Sequence, residues 1–151
     1  MRIIGGIGEL NGLVGEEVAV GDWLLIDQGR VDRFAEATSD HQWIHVDQER
    51  ARRESPFGGT IAHGFLTLSL LPYLVAQSLR IDGVRLVVNY GLDRVRFPGP
   101  VMVGTRIRPR VALAKCDGFP GGVQTEWLVT VERESQAKPA CVAASLIRYY
   151  A

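Results

Sequence analysis

The chain has 151 residues, of which 46% are hydrophobic and 23% are charged, and it carries 17 basic and 17 acidic side chains. This length and composition are those of a single globular domain with a substantial core. A net charge near zero excludes a strongly basic protein, so neither nucleic acid nor an anionic membrane surface is expected as a partner.

The first half of the chain is predicted to contain short strands, helices and turns. "DWLLID" (22–27) has the length and apolar content of a strand. "GRVDRFAEATSD" (29–40) places apolar side chains at helical spacing and predicts a one-sided helix of about three turns. "QERARRES" (48–55) predicts a short charged surface helix, and the proline and glycines of residues 56–59 predict a turn.

Two neighbouring segments stand out from this background. "TSDHQWIHVDQE" (38–49) holds two Asp and two His around a Trp, which is too polar for a core strand. "SPFGGTIAHGF" (55–65) is rich in glycine and runs directly into an apolar stretch. Together they are the candidate functional site.

A long central helix is predicted from residue 60 to about residue 79. The segment is apolar on nearly every face, which indicates a helix that other elements surround. Thr60 is a suitable N-cap. Pro72 removes a backbone hydrogen bond, so we expect a kink or a break near Leu68–Leu71.

After residue 83 the pattern changes to strands. "DGFPGG" (117–122) and "ESQAKP" (134–139) carry the residue types of hairpin turns. A curved antiparallel sheet around one long helix is an α+β fold of the hot-dog type, predicted here as a single domain over residues 1–151. The valine-rich strand segments are "VRLVVNYGLDRVRF", "TRIRPRVALAKC", "VQTEWLVTVERE" and "ACVAASLIRYY".

The paired motifs "SDHQWIHVD" and "FGGTIAHGFLTLSL" resemble the signature of the MaoC-like dehydratases, the (R)-specific enoyl-CoA hydratases. The resemblance extends to "NYGLDRVRFPGPVMVG" and is greatest to the single-domain, nodulation-protein-N-like branch. It implies a hot-dog fold, usually a homodimer, that acts on acyl-CoA thioesters. Coenzyme A belongs to the substrate, and no cofactor or metal is implied.

The resemblance also assigns residues. Asp40 and His45 match the catalytic pair, and His63–Gly64 matches the step whose glycine amide faces the thioester oxygen. Many members have Asn-Pro where this chain has Gln42 and Trp43, a change expected to reshape the loop around an intact pair.

The chemistry of hydration needs these residue types. A carboxylate can accept a proton from water, and a histidine can hold the same water on its other side. An amide at a helix N-terminus can stabilise the enolate oxygen, and a glycine there lets a ligand approach the backbone closely.

Further residues are predicted to contact the substrate: Gly58, Gly59, His63 and Phe65. Gly58 and Gly59 are also turn residues, and His63 is also suited to fixing its turn. Five arginines lie between residues 94 and 110. Either all of them lie on a solvated strand face, or one or two of them bind the phosphates of coenzyme A, with Arg96 as the predicted contact.

Other functions remain open on the sequence. A metal could bind the Asp and His side chains of residues 40–47. An acyl-CoA thioesterase of the same fold is disfavoured, because residues 60–79 contain no acidic side chain for attack at the carbonyl carbon. A non-catalytic acyl-thioester-binding module is the third alternative. The sequence fits either coenzyme A or an acyl carrier protein as carrier, and either direction of reaction.

The remaining features suggest an intracellular protein. Cys116 and Cys141 fit no metal or redox spacing and are predicted to be core residues. The longest apolar run, residues 64–76, is too short to span a bilayer, and the N-terminal residues lack the pattern of a signal peptide. The expected location is the cytoplasm.

Overall fold

A curved antiparallel sheet forms most of the molecule, and the computed structural model describes all 151 residues. The strand order is β2-β6-β7-β8-β5, with β3 pairing alongside β2 on β6. β1 and β4 form a separate parallel pair. The strands are β1 (Arg2–Ile4), β2 (Glu17–Val20), β3 (Leu24–Leu25), β4 (Leu79–Ile81), β5 (Leu86–Arg96), β6 (Arg106–Phe119), β7 (Gly122–Arg133) and β8 (Cys141–Tyr150).

Five helices connect and cover these strands. They are α1 (Gln28–Thr38), α2 (Trp43–Val46), α3 (Gln48–Glu54), α4 (Gly64–Ser69) and α5 (Leu71–Ser78), and a 3₁₀ segment spans Ile7–Leu13. None of the helices is long and apolar enough to cross a membrane.

The sheet buries one face because its strands alternate in polarity. On β6 the buried side chains alternate with arginines at 106, 108 and 110. On β7 Trp127 is fully buried, and its indole nitrogen donates a hydrogen bond to the Tyr149 hydroxyl at 3.1 Å. This face packs on α4 and α5, whose buried residues include Leu66, Leu71 and Leu74.

The four predicted valine-rich strands and the two hairpin turns between them are confirmed, whereas the strand predicted over residues 22–27 is limited to Leu24–Leu25. β6 and β7 are joined at Pro120–Gly121, and the turn over residues 134–140 joins β7 to β8. Cys141 is buried in the core, and burial raises the pKa of its thiol to about 11, which keeps it protonated.

The central helix differs from its prediction at its start and in its exposure, whereas the predicted break is confirmed. It begins at Gly64, not at Thr60, because residues 60–62 are extended and the Thr60 hydroxyl donates to the Gln28 side chain at 2.6 Å. It breaks at Leu70, where Pro72 opens the new helix α5, as expected for a proline at this place. It is also not fully surrounded, since Phe65 and Tyr73 are largely exposed.

β5 lies at one edge of the sheet and is exposed along nearly its whole length. Two bulges interrupt its pairing with β8, one at Tyr90 and one near Arg94, whose φ of 50° is left-handed. The strand carries five large apolar side chains that are 37–54% exposed: Leu86, Val87, Val88, Tyr90 and Leu92.

Candidate active site

Asp40 follows α1 directly, and its backbone is better anchored than its carboxylate. Asp27 caps α1 by accepting a hydrogen bond from a first-turn amide at 2.7 Å. The helix ends at Ser39, whose left-handed φ of 59° turns the chain. The Asp40 carbonyl oxygen lies 3.0 Å from His63 Nε2, whereas its half-exposed carboxylate has a 3.4 Å contact from the Gln42 amide and lies 3.9 Å from the same His63 nitrogen.

His45 lies in the short helix α2, and its ring is held in one tautomer. The side chain is buried, and Nδ1 lies 2.7 Å from the carbonyl oxygen of Ile61. A carbonyl oxygen can only accept a hydrogen bond, so Nδ1 carries the proton of the neutral ring. Nε2 is therefore the nitrogen with a free lone pair.

The carbonyl that sets this tautomer belongs to an extended segment fixed on both sides. The Ile61 amide donates to the Ile44 carbonyl at 3.0 Å. On the opposite side, the Ala62 amide donates to the Val101 carbonyl at 2.8 Å, and the Val103 amide donates to the Thr60 carbonyl at 3.0 Å. His45 is therefore positioned by a backbone segment with little freedom to move.

Gln28 supports the same region from α1. Its side-chain amide donates to the carbonyl of His45 at 2.7 Å, and its side-chain oxygen accepts from the Thr60 hydroxyl at 2.6 Å. No sequence pattern separates Gln28 from an ordinary polar residue in the first turn of a helix, so the sequence analysis missed it.

His63 connects the two sequence motifs. It is 2% exposed, and its ring stacks on that of His45 with 3.8 Å between ring centres and 26° between planes. Phe34 of α1 contacts His63 with its ring centre at 5.0 Å. One donor atom from each of Asp40, His45 and His63 lies within 4.8 Å of the other two. These three residues are called the Asp-His cluster below.

Gly64 begins α4 beside this cluster and lines a cavity of about 310 Å³ together with His45 and Thr67. As the first residue of the helix it has an amide without an intrahelical acceptor. A Cβ at position 64 would lie 3.0 Å from the ring of Phe97. Glycine thus leaves room for the Phe97 ring, a packing role that could not be predicted from the sequence. Phe97 also lines the cavity and was missed.

The other predicted contacts lie around this cavity and not in its wall. Gly58 has a φ of 76° and forms a tight turn, and Gly59 lies close to Met102. Phe65 is exposed, and its ring centre lies 6.2 Å from that of Phe97. Gly58, Gly59 and Phe65 therefore do not line the cavity. Phe57, which was not predicted, does line it.

The arginines of residues 94–110 divide into two groups. Arg96 alone has no carboxylate partner, since its guanidinium donates only to the carbonyl of Val95 at 2.7 Å. It precedes Phe97, a residue of the cavity wall. The other four form ion pairs: Arg94 with Glu126, Arg106 with Glu134, Arg108 with Glu132, and Arg110 with Glu17 and Glu132.

The Asp-His cluster offers few free donors to a metal ion. His45 Nδ1 is bonded to a carbonyl, and His63 Nε2 is bonded to the carbonyl of Asp40. The lone pairs of His45 Nε2 and of the buried His63 Nδ1 remain, together with the Asp40 carboxylate, whereas a closed structural zinc site takes four ligands.

The environment of His45 favours a neutral ring. Burial, the largest influence, lowers the pKa of His45, and the nearby His63 lowers it further. The hydrogen bond to Ile61 and the charge of Asp40 act in the opposite direction but are outweighed. A neutral His45 can accept a hydrogen bond or a proton from a molecule in the cavity.

The sheet curved around a helix, with this cluster at the helix N-terminus, defines a hot-dog protein, as predicted. The model of the MaoC like domain family matches residues 10–134, and the chain belongs to this family, a family of dehydratase and hydratase enzymes. The predicted family and enzyme class are confirmed.

Two relatives are similar to the chain in sequence, and one solved structure is similar to it in fold. 3-Hydroxyacyl-thioester dehydratase Z of Mycobacterium tuberculosis (strain ATCC 25618 / H37Rv) is 51% identical over 152 residues, which cover 100% of both chains. Nodulation protein N of Rhizobium leguminosarum bv. viciae is 50% identical over 133 residues, 86% of this chain and 82% of that protein. The X-ray structure of a monoamine oxidase regulatory protein from Archaeoglobus fulgius matches with a TM-score of 0.78 at 21% identity, covering 99% of this chain and 96% of that chain.

We expect the His45 ring to stay neutral down to a pH below 6.5, because burial lowers its pKa from that ordinary value. A lowered pKa means that the ring gains its second proton only in more acidic solution. The chain has three histidines, so NMR titration of the ring signals can follow each one, with His45→Gln identifying the signal of interest. A His45 midpoint at or above pH 6.5 would contradict the expectation.

Proposed function

We propose that the protein catalyses the reversible, (R)-specific hydration of trans-2-enoyl-CoA to (R)-3-hydroxyacyl-CoA. The observation that carries the proposal is the pairing of two acceptors, of which His45 lines the cavity and Asp40 lies next to it in the Asp-His cluster. These are the lone pair of His45 Nε2 and the carboxylate of Asp40, in a cluster whose donor atoms lie within 4.8 Å of one another. The stereochemistry follows from the family resemblance. No cofactor is needed.

Two acceptors at this distance suit one water molecule. Water can donate one hydrogen to Asp40 and the other to His45, which directs a lone pair of its oxygen toward the substrate. As the oxygen bonds to the β-carbon, the Asp40 carboxylate accepts the proton. That proton is then delivered to the α-carbon, so water is added overall and the pair returns to its starting state.

The electrons of the double bond move to the thioester oxygen, where negative charge develops. The free amide of Gly64 is the proposed donor to this oxygen, because the first amide of a helix has no partner within the helix. Removing such a donor typically costs about 10²–10³ in rate.

Apolar space for the acyl chain follows α4 and α5. Thr67 borders the cavity at the cluster, and Leu68 and Leu71 border the next one. Pro72 borders both that cavity and a third one of about 270 Å³, which is lined mainly by apolar residues of α5, β5 and β8. A row of cavities beside the helix fits the expected acyl tunnel.

Arg96 is the proposed contact for the phosphates of coenzyme A. It is exposed and free of carboxylates, and it precedes Phe97, which lines the cavity that holds His45 and Gly64. Arginine binds phosphate through two parallel hydrogen bonds.

A thioesterase reaction has less support. Helices α4 and α5 carry no carboxylate, so no acid on the central helix can drive attack at the carbonyl carbon. The carboxylate of the cluster comes instead from the loop after α1.

A homodimer is also proposed, formed by antiparallel pairing of β5 with β5 of a second copy. An exposed edge strand presents unpaired backbone groups, and here residues 86–92 add apolar side chains and no charge. The same surface on both copies gives a two-fold interface.

Replacing Asp40 by Asn or His45 by Gln should lower kcat about 10²–10⁴-fold, because each change replaces a group that can accept a proton by an amide that cannot. The assay follows loss of the enoyl absorbance of crotonyl-CoA, with the exposed His41→Gln as the matched control. Release of free thiol would instead indicate a thioesterase. No reaction with crotonyl-CoA or with a longer enoyl-CoA would leave the non-catalytic acyl-binding module.

Arg96→Ala should raise KM for crotonyl-CoA about tenfold and leave kcat nearly unchanged, because a charge-assisted hydrogen bond to phosphate is lost. Arg106→Ala, which removes an exposed ion pair with Glu134, is the control and should change neither value. Crotonyl-pantetheine, which has no phosphate, should not respond to Arg96→Ala. An equal effect on both substrates would contradict the assignment.

Val88→Lys should shift the protein from dimer to monomer by a factor of about ten or more in the dissociation constant, because it places a charge in the β5 pairing surface. Val20→Lys changes an equally exposed valine on the opposite edge strand, β2, and should leave the dimer intact. Size-exclusion chromatography with light scattering measures both. A monomeric wild type, or dimer loss with Val20→Lys alone, would refute this interface.

A further inference from the structure

We infer that His63 is a positioning residue that holds both members of the catalytic pair, Asp40 by a hydrogen bond to its backbone carbonyl and His45 by ring stacking. The inference rests on the proposed function and deepens it. His63 itself does not line the cavity and is 2% exposed, so it acts through its neighbours and not on the substrate.

The hydrogen bonds of His63 fix which nitrogen carries the proton. Nε2 lies 3.0 Å from the carbonyl oxygen of Asp40, and a carbonyl can only accept, so Nε2 is the donor. Nδ1 is buried and has no hydrogen-bond partner. A buried polar atom without a partner destabilises the fold, and an apolar ring would fill the same space without that cost. The use of a histidine therefore lies in its Nε2–H group.

Asp40 needs such an anchor. It follows the left-handed residue Ser39, and its half-exposed carboxylate has only long contacts, at 3.4 Å to the Gln42 amide and at 3.9 Å to His63 Nε2. The bond from His63 ties the backbone of Asp40 to the residue that immediately precedes Gly64 and α4. The proposed base and the proposed oxyanion donor thereby keep a fixed separation, on which orientation of the attacking water depends.

The stacking has a separate role. One edge of the His45 ring is held by the Ile61 carbonyl, and one face is covered by His63. Phe34 supports His63 from α1, so three rings from three parts of the chain pack in sequence. This packing holds the plane of His45 and leaves Nε2 as its available nitrogen.

Three substitutions separate the two roles. His63→Gln keeps an amide donor near the position of Nε2 and loses the ring. His63→Phe keeps the ring and loses the donor, and His63→Asn loses both, because its amide is too short to reach Asp40. We expect kcat to fall about 10- to 100-fold in His63→Asn and by smaller factors in the other two, with KM nearly constant. Urea unfolding confirms that each variant is folded.

A double-mutant cycle distinguishes positioning from general damage. If His63 acts through Asp40, then His63→Phe should cost less than about threefold in an Asp40→Asn background, although it costs more in the wild type. Equal losses in both backgrounds, or a kcat of His63→Asn within threefold of the wild type, would overturn the inference.

A second readout does not need activity. Amide hydrogen exchange over residues 39–42 should quicken in His63→Phe and His63→Asn but not in His63→Gln. A wild type without hydratase activity would refute the proposed function, and the exchange pattern would still decide the role of His63. Unchanged exchange in all three variants would show that His63 does not hold this loop.

Discussion

The site depends on one residue of extended backbone, Ile61. Its amide donates to the carbonyl of Ile44, and its carbonyl accepts from Nδ1 of His45. The neighbouring amide of Ala62 is bonded to Val101 on the other side. A backbone segment held on both sides cannot shift without breaking several buried hydrogen bonds, so the tautomer of His45 is a property of the fold itself.

This arrangement explains why the two sequence motifs occur together. The first motif supplies Asp40 and His45, and the second supplies the carbonyl that orients His45 and the histidine that contacts both. Gln28 then ties the first turn of α1 to each motif. The cluster is thus assembled from three chain segments, and its groups are bonded mainly to backbone, which is less mobile than side chains.

Local patterns in the sequence predicted the elements that local interactions determine. Valine-rich composition predicted β6, helical spacing predicted α1, and proline predicted the break at Leu70. The start of the central helix could not be predicted in the same way. Thr60 has the chemistry of an N-cap, but its hydroxyl is bonded to Gln28, 32 residues away. The contact of Phe97 with Gly64 and the pairing of β1 with β4 are long-range in the same sense.

The family motifs identified Asp40, His45 and Gly64 as candidates, and the structure brings their segments together. The roles of individual residues could be assigned only from the structure. Only the partners of each arginine separate Arg96 from the four arginines in ion pairs. The hydrogen bond from the buried ring of His63 to the carbonyl of Asp40 could likewise be found only in the structure. The order of the elements has a further consequence during synthesis on the ribosome. The apolar helices α4 and α5 are made before every long strand that covers them, and the last of these ends at Tyr150. At translation rates of about 5–20 residues per second, their apolar face waits roughly 4–15 s for its sheet, an interval in which the nascent chain is a substrate for chaperones.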